Sequence, residues 1–343
     1  MVQLHHVFMF TLISPFITLM TSFIILRTLI TISRSNWLFL WIALELNLLR
    51  FIPIILRSKK FQETEAAVKY FLAQALGSRL LLIRRISIWF CMSIPSNNIK
   101  LLLLIALLLK IGIVPCHLWY PSVITSLSWL PALILSTWQK LAPLITLAFL
   151  LNRSLTYILV TLAIINSLTG GLIGINQSHL RTIIAYSSIT HIGWILSLIA
   201  ITKPLHTIYY FIIYSLIITP IFIIIYIKNT VNSRNINKIL SHTPLTQILI
   251  PILLLSLAGL PPLTGFAPKW LAISIIAPVR PYITIILIIG AIINTYFYLN
   301  ISFNFILSLK LTSKINSLKI IPIKTMSIIR LISLLYIPIL MVI

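Results

Sequence analysis

Apolar stretches of about twenty residues, separated by short polar knots, run along almost the whole chain. A hydrocarbon layer ~30 Å thick takes about 20 helical residues to cross. On that measure the pattern predicts about eleven transmembrane helices, near 7–27, 36–57, 66–90, 99–118, 128–151, 155–175, 181–201, 205–228, 246–276, 281–307 and 320–343. A closed barrel would alternate polarity residue by residue, so the expected class is an all-α polytopic membrane protein. The connections Ser33–Asn36, Pro95–Asn98, Asn229–Asn237 and Pro278–Pro281 are short and rich in turn formers. They leave no room for a large extramembrane domain, and residues 1–343 read as a single membrane domain.

Two of these helices are interrupted. Lys110-Ile-Gly112-Ile-Val-Pro115-Cys-His117 follows the aliphatic run Leu101–Leu109. Pro115 has no N–H for the carbonyl of Ile111, and Gly112 adds local freedom, so the helix should break there. A freed carbonyl beside an ionisable amine, shielded from lipid, makes a polar pocket at membrane depth. The competing reading has Lys110 reaching a headgroup from a helix end. The second interruption is Leu257-Ala-Gly259-Leu-Pro261-Pro262-Leu-Thr-Gly265-Phe-Ala-Pro268-Lys269. Its flanks, Gln247–Ala258 and Ala267–Ala277, are each too short to cross alone, which favours one discontinuous helix over a loop between two spans.

The order of these elements suggests two five-helix inverted repeats, 7–151 and 155–307, each with a discontinuous fourth helix carrying a lysine, and a separate C-terminal helix at 320–343. Paired interrupted helices point to a transporter with its path where the repeats meet.

Charge changes the picture more than composition does. Of 343 residues 59% are hydrophobic, and the acids number three, Glu45, Glu63 and Glu65. The formal charge of +23 is dispersed through helices and their ends, which argues against nucleic acid. Glu63 and Glu65 fall where a helix begins, with Thr64 as an N-cap and Glu65–Lys69 as an i,i+4 pair, and are read as helix initiation alone. Cys91 and Cys116 lie in apolar surroundings and predict no disulfide framework. Met1–His6 has no basic stretch before the first apolar run, so no cleavable signal is expected.

Glu45 sits midway along Trp37–Leu56, where an unpaired carboxylate is costly, and Lys140 sits mid-span in Trp138-Gln-Lys140-Leu-Ala-Pro143. With Lys110 and Lys269 they make one buried acid and three buried lysines on separate helices. The expectation is a row of titrating sites joined by water, each charge bearing on its neighbour by about 4 kcal/mol at 4 Å and an effective dielectric of ~20. A static Glu45–Lys140 pair pinning two helices is the alternative. In Tyr186-Ser187-Ser188-Ile-Thr190-His191-Ile-Gly-Trp194, the residues Ser187, Thr190, His191 and Trp194 share one helix face, which must look into protein or water. His191 suits a relay, and a helix-packing hydrogen bond would suit it equally. Tyr186, Ser187 and Thr190 are accessory to it, and His117 is expected at the rim of the first pocket. No metal spacing, phosphate-cradling loop, nucleophile elbow or nicotinamide fingerprint is present in the sequence.

Across nearly its full length the chain resembles the subunit 2 family of mitochondrial NADH:ubiquinone oxidoreductase (respiratory complex I), which are antiporter-like membrane subunits. The resemblance is carried by Trp41-Ile-Ala-Leu-Glu45-Leu-Asn47, Glu65-Ala-Ala-Val-Lys69-Tyr-Phe-Leu-Ala-Gln74-Ala-Leu-Gly77-Ser78, Lys110–His117, Trp138–Pro143, Ala185–Trp194 and Gly265–Trp270. It implies eleven helices and a proton-translocating axis through Glu45, Lys110, Lys140 and Lys269, with His191 as an intervening relay. It also implies synthesis within the organelle, residence in the mitochondrial inner membrane, and contacts with other membrane-arm subunits and phospholipid, cardiolipin included. No cofactor is expected in this chain; FMN, iron–sulfur clusters and ubiquinone belong to other subunits. Two rival readings are a structural scaffold whose polar residues only join helices, and a free-standing cation/proton antiporter, against which the scarcity of acids counts.

One departure from the family stands out. Arg50, Arg79, Arg84 and Arg85 fall where the family has small or apolar residues, and four unpaired arginines would cost on the order of 10 kcal/mol in a bilayer. With Met at 6 and Ile abundant, they predict that codons read as Ser and Met in invertebrate mitochondria stand here as Arg and Ile. The true charge would then lie well below +23.

Overall fold

A computed structural model of the chain describes residues 15–33, 37–58, 60–90, 96–150, 155–227 and 244–312. The C-terminal helix expected at 320–343, the opening of the first span and the connection 229–237 lie outside them. The described residues form thirteen α-helices and no strand. In chain order they are α1 (Pro15–Ser33), α2 (Trp37–Ile55), α3 (Phe61–Phe90), α4 (Ser96–Ile111), α5 (Trp119–Ser126), α6 (Trp129–Ser136), α7 (Trp138–Leu150), α8 (Thr156–Ile175), α9 (Leu180–Ala200), α10 (Pro204–Ile227), α11 (Pro244–Ala258), α12 (Phe266–Ile276) and α13 (Pro281–Thr312). A one-turn 3₁₀ segment, Leu56–Ser58, follows α2. Among the described residues, seven helical stretches are long and apolar enough to cross a membrane, and α11 and α12 hold shorter apolar helices. This is a multi-pass membrane protein.

The chain divides into two compact units, Met1–Leu151 and Asn152–Ile343. In the first, α1 packs on α2 and α7, α2 on α3, and α3 on both α4 and α5, with α7 also against α4. Its centre is aromatic and aliphatic: Leu48, Phe51, Ile55, Tyr70, Leu81 and Tyr120 are almost wholly enclosed. In the second, α8 lies against α9 and α13, and α10 and α12 pack on α9. Within α9 the most apolar window is 94% buried, so the helix is enclosed on every side. A helix covered all round can hold a polar stripe only by facing it into protein.

Local chemistry sets the ends. The carbonyl of Lys60 accepts the N–H groups of Glu63 and Thr64, so α3 begins at Phe61. Thr64 is therefore already inside the first turn, its hydroxyl donating to the carbonyl of Phe61, and it is not the N-cap that the sequence suggests. The Glu65–Lys69 pair is present at 2.6 Å on an exposed face. The stretch expected as one span at 128–151 is one membrane-crossing stretch, Trp129–Phe149, bent at Thr137 where α6 meets α7. No glycine or proline lies at that joint; instead the hydroxyls of Ser136 and Thr137 both donate to the carbonyl of Leu133, a back-bonding pattern that bends helices.

Of the four arginines, Arg50 lies 4.5 Å over the ring of Phe23 and Arg84 lies 4.3 Å over Trp37, while Arg79 and Arg85 are exposed. At 30 residues α3 is about 45 Å long, against a hydrocarbon core of ~30 Å. Arg84 and Arg85 fall in its last two turns, with room to reach a headgroup layer. Arg50 also lies in the last two turns of its helix, but α2, at 19 residues and about 28 Å, has no length in excess of the core.

Candidate functional site

The first break comes earlier than proline chemistry alone would place it. α4 stops at Ile111, and Gly112 adopts φ +79°, a left-handed conformation that costs glycine nothing. The N–H groups of Gly112 and Ile113 both turn back to the carbonyl of Leu108, the Schellman-type closure of a helix. The carbonyls left over at that end are met by side chains. Trp119 Nε1 donates to Leu109 O at 3.0 Å, and Gln74 Nε2, from α3, donates to Lys110 O at 3.0 Å. Pro115 is exposed and His117 is buried in the connecting segment, where its carbonyl accepts the N–H of Tyr120 as α5 begins.

Around this end the first unit gathers Glu45, Lys110 and Lys140. Lys110 and Lys140 are buried, at 4% and 3% exposure. The Lys140 ammonium lies 3.7 Å from the centroid of the Tyr120 ring, close enough for a cation–π contact. Next to it in sequence, Gln139 accepts from the Tyr70 hydroxyl at 3.4 Å. Tyr70 is also within electrostatic reach of Glu45, as is Lys110. Glu45 is half-buried, and its Oε2 is enclosed without a hydrogen-bond partner among the described residues. Four helices, α2, α3, α4 and α7, thus bring one carboxyl, two ammoniums, a phenol and an amide into one interior, walled by the rings of Phe51, Trp119 and Tyr120.

The second unit holds its own break. α11 ends at Ala258, Gly259 takes φ +84°, and its N–H reaches Ser256 O while that of Leu260 reaches Leu255 O. Lys269, 5% exposed on α12, donates from Nζ to the Ala258 carbonyl at 2.5 Å. Its ammonium therefore caps the carbonyl end of α11, where the helix dipole favours a cation. Pro261 and Pro262 sit exposed in the link. On α9, His191 Nδ1 lies 3.0 Å from the Tyr210 hydroxyl, and its ring is 5.0 Å from that of Tyr214. Thr190 accepts from Asn294 Nδ2 at 3.0 Å and donates to the carbonyl of Ser187. Ser187, Thr190, His191 and Trp194 are all buried, whereas Tyr186 is half-exposed.

The family model described as NADH:quinone oxidoreductase/Mrp antiporter, TM, matches residues 34–294. An earthworm protein, the NADH-ubiquinone oxidoreductase chain 2 of Lumbricus terrestris, is 51% identical over 288 residues, 84% of this chain and 86% of its own length. The chain belongs to the NADH-ubiquinone oxidoreductase chain 2 family. Solved structures match in fold. Respiratory complex I from Thermus thermophilus contains a chain superposing with a TM-score of 0.77 at 22% identity, over 94% of this chain and 77% of that one. The Mrp complex from Dietzia gives 0.73 at 19% identity, over 84% and 59%. The chain 2 family is thus built on an antiporter-like helical fold and forms part of a respiratory-chain oxidoreductase, an NADH dehydrogenase.

Several residues that shape this chain 2 site were not singled out by the sequence. Tyr70, Gln139, Tyr120 and Trp119 look like ordinary members of apolar helices, and only folding turns them toward Glu45, Lys140 and the end of α4. Tyr210 and Asn294 are likewise isolated polar residues within apolar spans. The one available signal was a polar side chain where lipid would reject it.

Proposed function

We propose that this chain carries protons across the mitochondrial inner membrane, as a core membrane-arm subunit of a complex whose NADH-to-ubiquinone electron transfer takes place in other subunits. Glu45, Lys110, Lys140 and Lys269 are the titrating groups, and His191, hydrogen-bonded to Tyr210, is the intervening relay. The observation that carries this reading is the burial of three lysines, at 3–5% exposure, inside apolar helices. At ~2.5–3.5 kcal/mol each on the lenient insertion scale, their cost is on the order of 8–10 kcal/mol, comparable to the whole stability of a typical domain. Groups that expensive are kept for what their charge does. Their surroundings support the same reading: a carbonyl for Lys269, an aromatic face for Lys140, and the Glu45 carboxyl within electrostatic reach of Lys110.

In this reading a change in charge or water access near Glu45, set off by electron transfer elsewhere, alters the state of Lys110, and Lys140 and Lys269 respond in turn by protonation. The topology proposed with it is eleven spans, in two inverted five-helix repeats whose fourth helices are the interrupted pairs α4–α5 and α11–α12, followed by a C-terminal helix. FMN, iron–sulfur clusters and ubiquinone are assigned to other subunits. The partners are neighbouring antiporter-like and small membrane subunits, with phospholipid such as cardiolipin at the surface.

The test is Lys110→Met in the assembled complex, reconstituted in liposomes. Pumping-linked turnover should vanish while the complex still assembles. Unaltered turnover with normal proton stoichiometry would leave only a scaffold.

A further inference from the structure

Two of the three buried lysines rest against a glycine. A Cβ built on Gly77 would stand 2.9 Å from Lys110 Cγ and 3.5 Å from its Cε, with the carbonyl of Ala106 at 3.2 Å. A Cβ on Gly259 would meet Lys269 at Cδ, Nζ and Cε, at 2.9, 2.9 and 3.0 Å. Gly259 has a sufficient backbone reason to be glycine, its positive φ. Gly77 has none. It lies inside α3, where alanine would favour the helix. What requires the missing methyl is space, and the atom nearest that space belongs to Lys110.

The geometry points to Gly77 as a positioning residue for Lys110: a notch in α3 in which the lysine stem lies flush, so that its ammonium is held at a fixed distance from Glu45. This inference rests on the reading of Lys110 as a proton carrier. Gln74, one turn earlier on the same helix, holds the other side of the same residue by donating to its backbone carbonyl. α3 therefore fixes both the main chain and the stem of Lys110. Gly259 seats Lys269 in the same manner beside the Ala258 carbonyl.

The alternative is that Gly77 serves only close packing of α3 on α4, since Ala73 and Gly77 form a small-xxx-small pair. The two accounts differ in what a methyl at position 77 disturbs. A packing role changes stability; a seat changes where the ammonium stands. For an ammonium retreating from ~5 to ~6 Å from a carboxylate, at an effective dielectric of ~20, a titration moves by roughly 0.4 pH unit.

The experiment uses the assembled complex with Gly77→Ala, reconstituted in liposomes, recording NADH:ubiquinone turnover against pH and protons moved per electron. The pH profile should move by roughly 0.3–0.5 unit, with fewer protons per electron. Gly171→Ala is the control. Its methyl would crowd Ile293 at 3.1 Å, a slightly looser contact with no lysine in it, and should leave the profile in place. The seat is overturned if Gly77→Ala leaves the profile unmoved, or if both variants move it alike. Should the Gly77→Ala complex fail to assemble, density for the unaltered complex decides: the Lys110 stem packed on Gly77 Cα upholds the seat, and a stem directed elsewhere removes it. A silent Lys110→Met removes the parent reading; an inactive Lys110→Met with a silent Gly77→Ala removes the notch alone.

Discussion

A lysine enclosed in apolar helices is defined by what stands in for water around its ammonium. Lys269 takes a backbone carbonyl at a helix end, where the dipole and the hydrogen bond act in the same direction. Lys140 takes the face of Tyr120, a weaker stabilisation of about 0.5–2 kcal/mol. Arg50 is a different case. It lies over Phe23 with Nη1 3.8 Å from Met20 Sδ, contacts too weak to balance a guanidinium in a span with no excess length. Arg84 and Arg85, in the last two turns of a helix longer than the membrane, can reach headgroups as arginines. The codon expectation is thus sharpest at Arg50 and weakest at the end of α3. Peptide masses from the isolated protein should show serine at Arg50, Arg79, Arg84 and Arg85; arginine masses across Phe71–Arg85 and at Arg50 would end the idea.

At the level of elements, the interruptions matter more than the spans. α4 is closed by Gly112 and then held by two caps of different origin, Trp119 from α5 and Gln74 from α3. Each such bond contributes about 1 kcal/mol net, and leaving a buried carbonyl unmet costs about 1–3. Gln74→Leu should therefore loosen the end of α4, seen as faster amide exchange at Gly112 and Ile113 in the assembled complex and little change at α9. Equal exchange in both proteins would show that Gln74 does not hold this end. The two breaks were legible in the sequence because glycine and proline punctuate them within a few residues. The caps were not, since Gln74 meets a carbonyl 36 residues away and nothing local marks it. The joint at Thr137 was missed for the opposite reason: Ser136 and Thr137 are unremarkable in an apolar run until both hydroxyls turn to Leu133. Thr64 has the look of a cap in the sequence, but α3 starts at Phe61, four residues before the first helical position such a cap would set. Periodicity finds helices, and paired interruptions locate the lysines; the partners of those lysines depend on packing between helices.

For the molecule as a whole, the decisive quantity is the inventory of charge. Three acids stand in 343 residues, one of which, Glu45, lies within electrostatic reach of Lys110 inside an apolar unit. A sodium-coupled exchanger needs oxygen ligands, commonly carboxylates, to replace the shell of a hard cation. A single carboxylate supplies too few oxygens for that shell, and the Lys110 ammonium near it repels the cation. The carboxylate can instead pass a proton, because a proton needs only one acceptor at a time and leaves each site neutral or charged as its neighbours dictate. Likeness in fold to a chain of an Mrp complex therefore does not carry cation exchange with it. The chain purified in mild detergent should come away with other membrane subunits. Stripped of them and placed in liposomes, it should show no sodium-driven change of internal pH, while the complete complex acidifies vesicles when supplied with NADH and quinone. Sodium–proton exchange by the chain alone would mean that Glu45 binds a metal cation, and the lysines would then be its electrostatic gate rather than carriers in their own right.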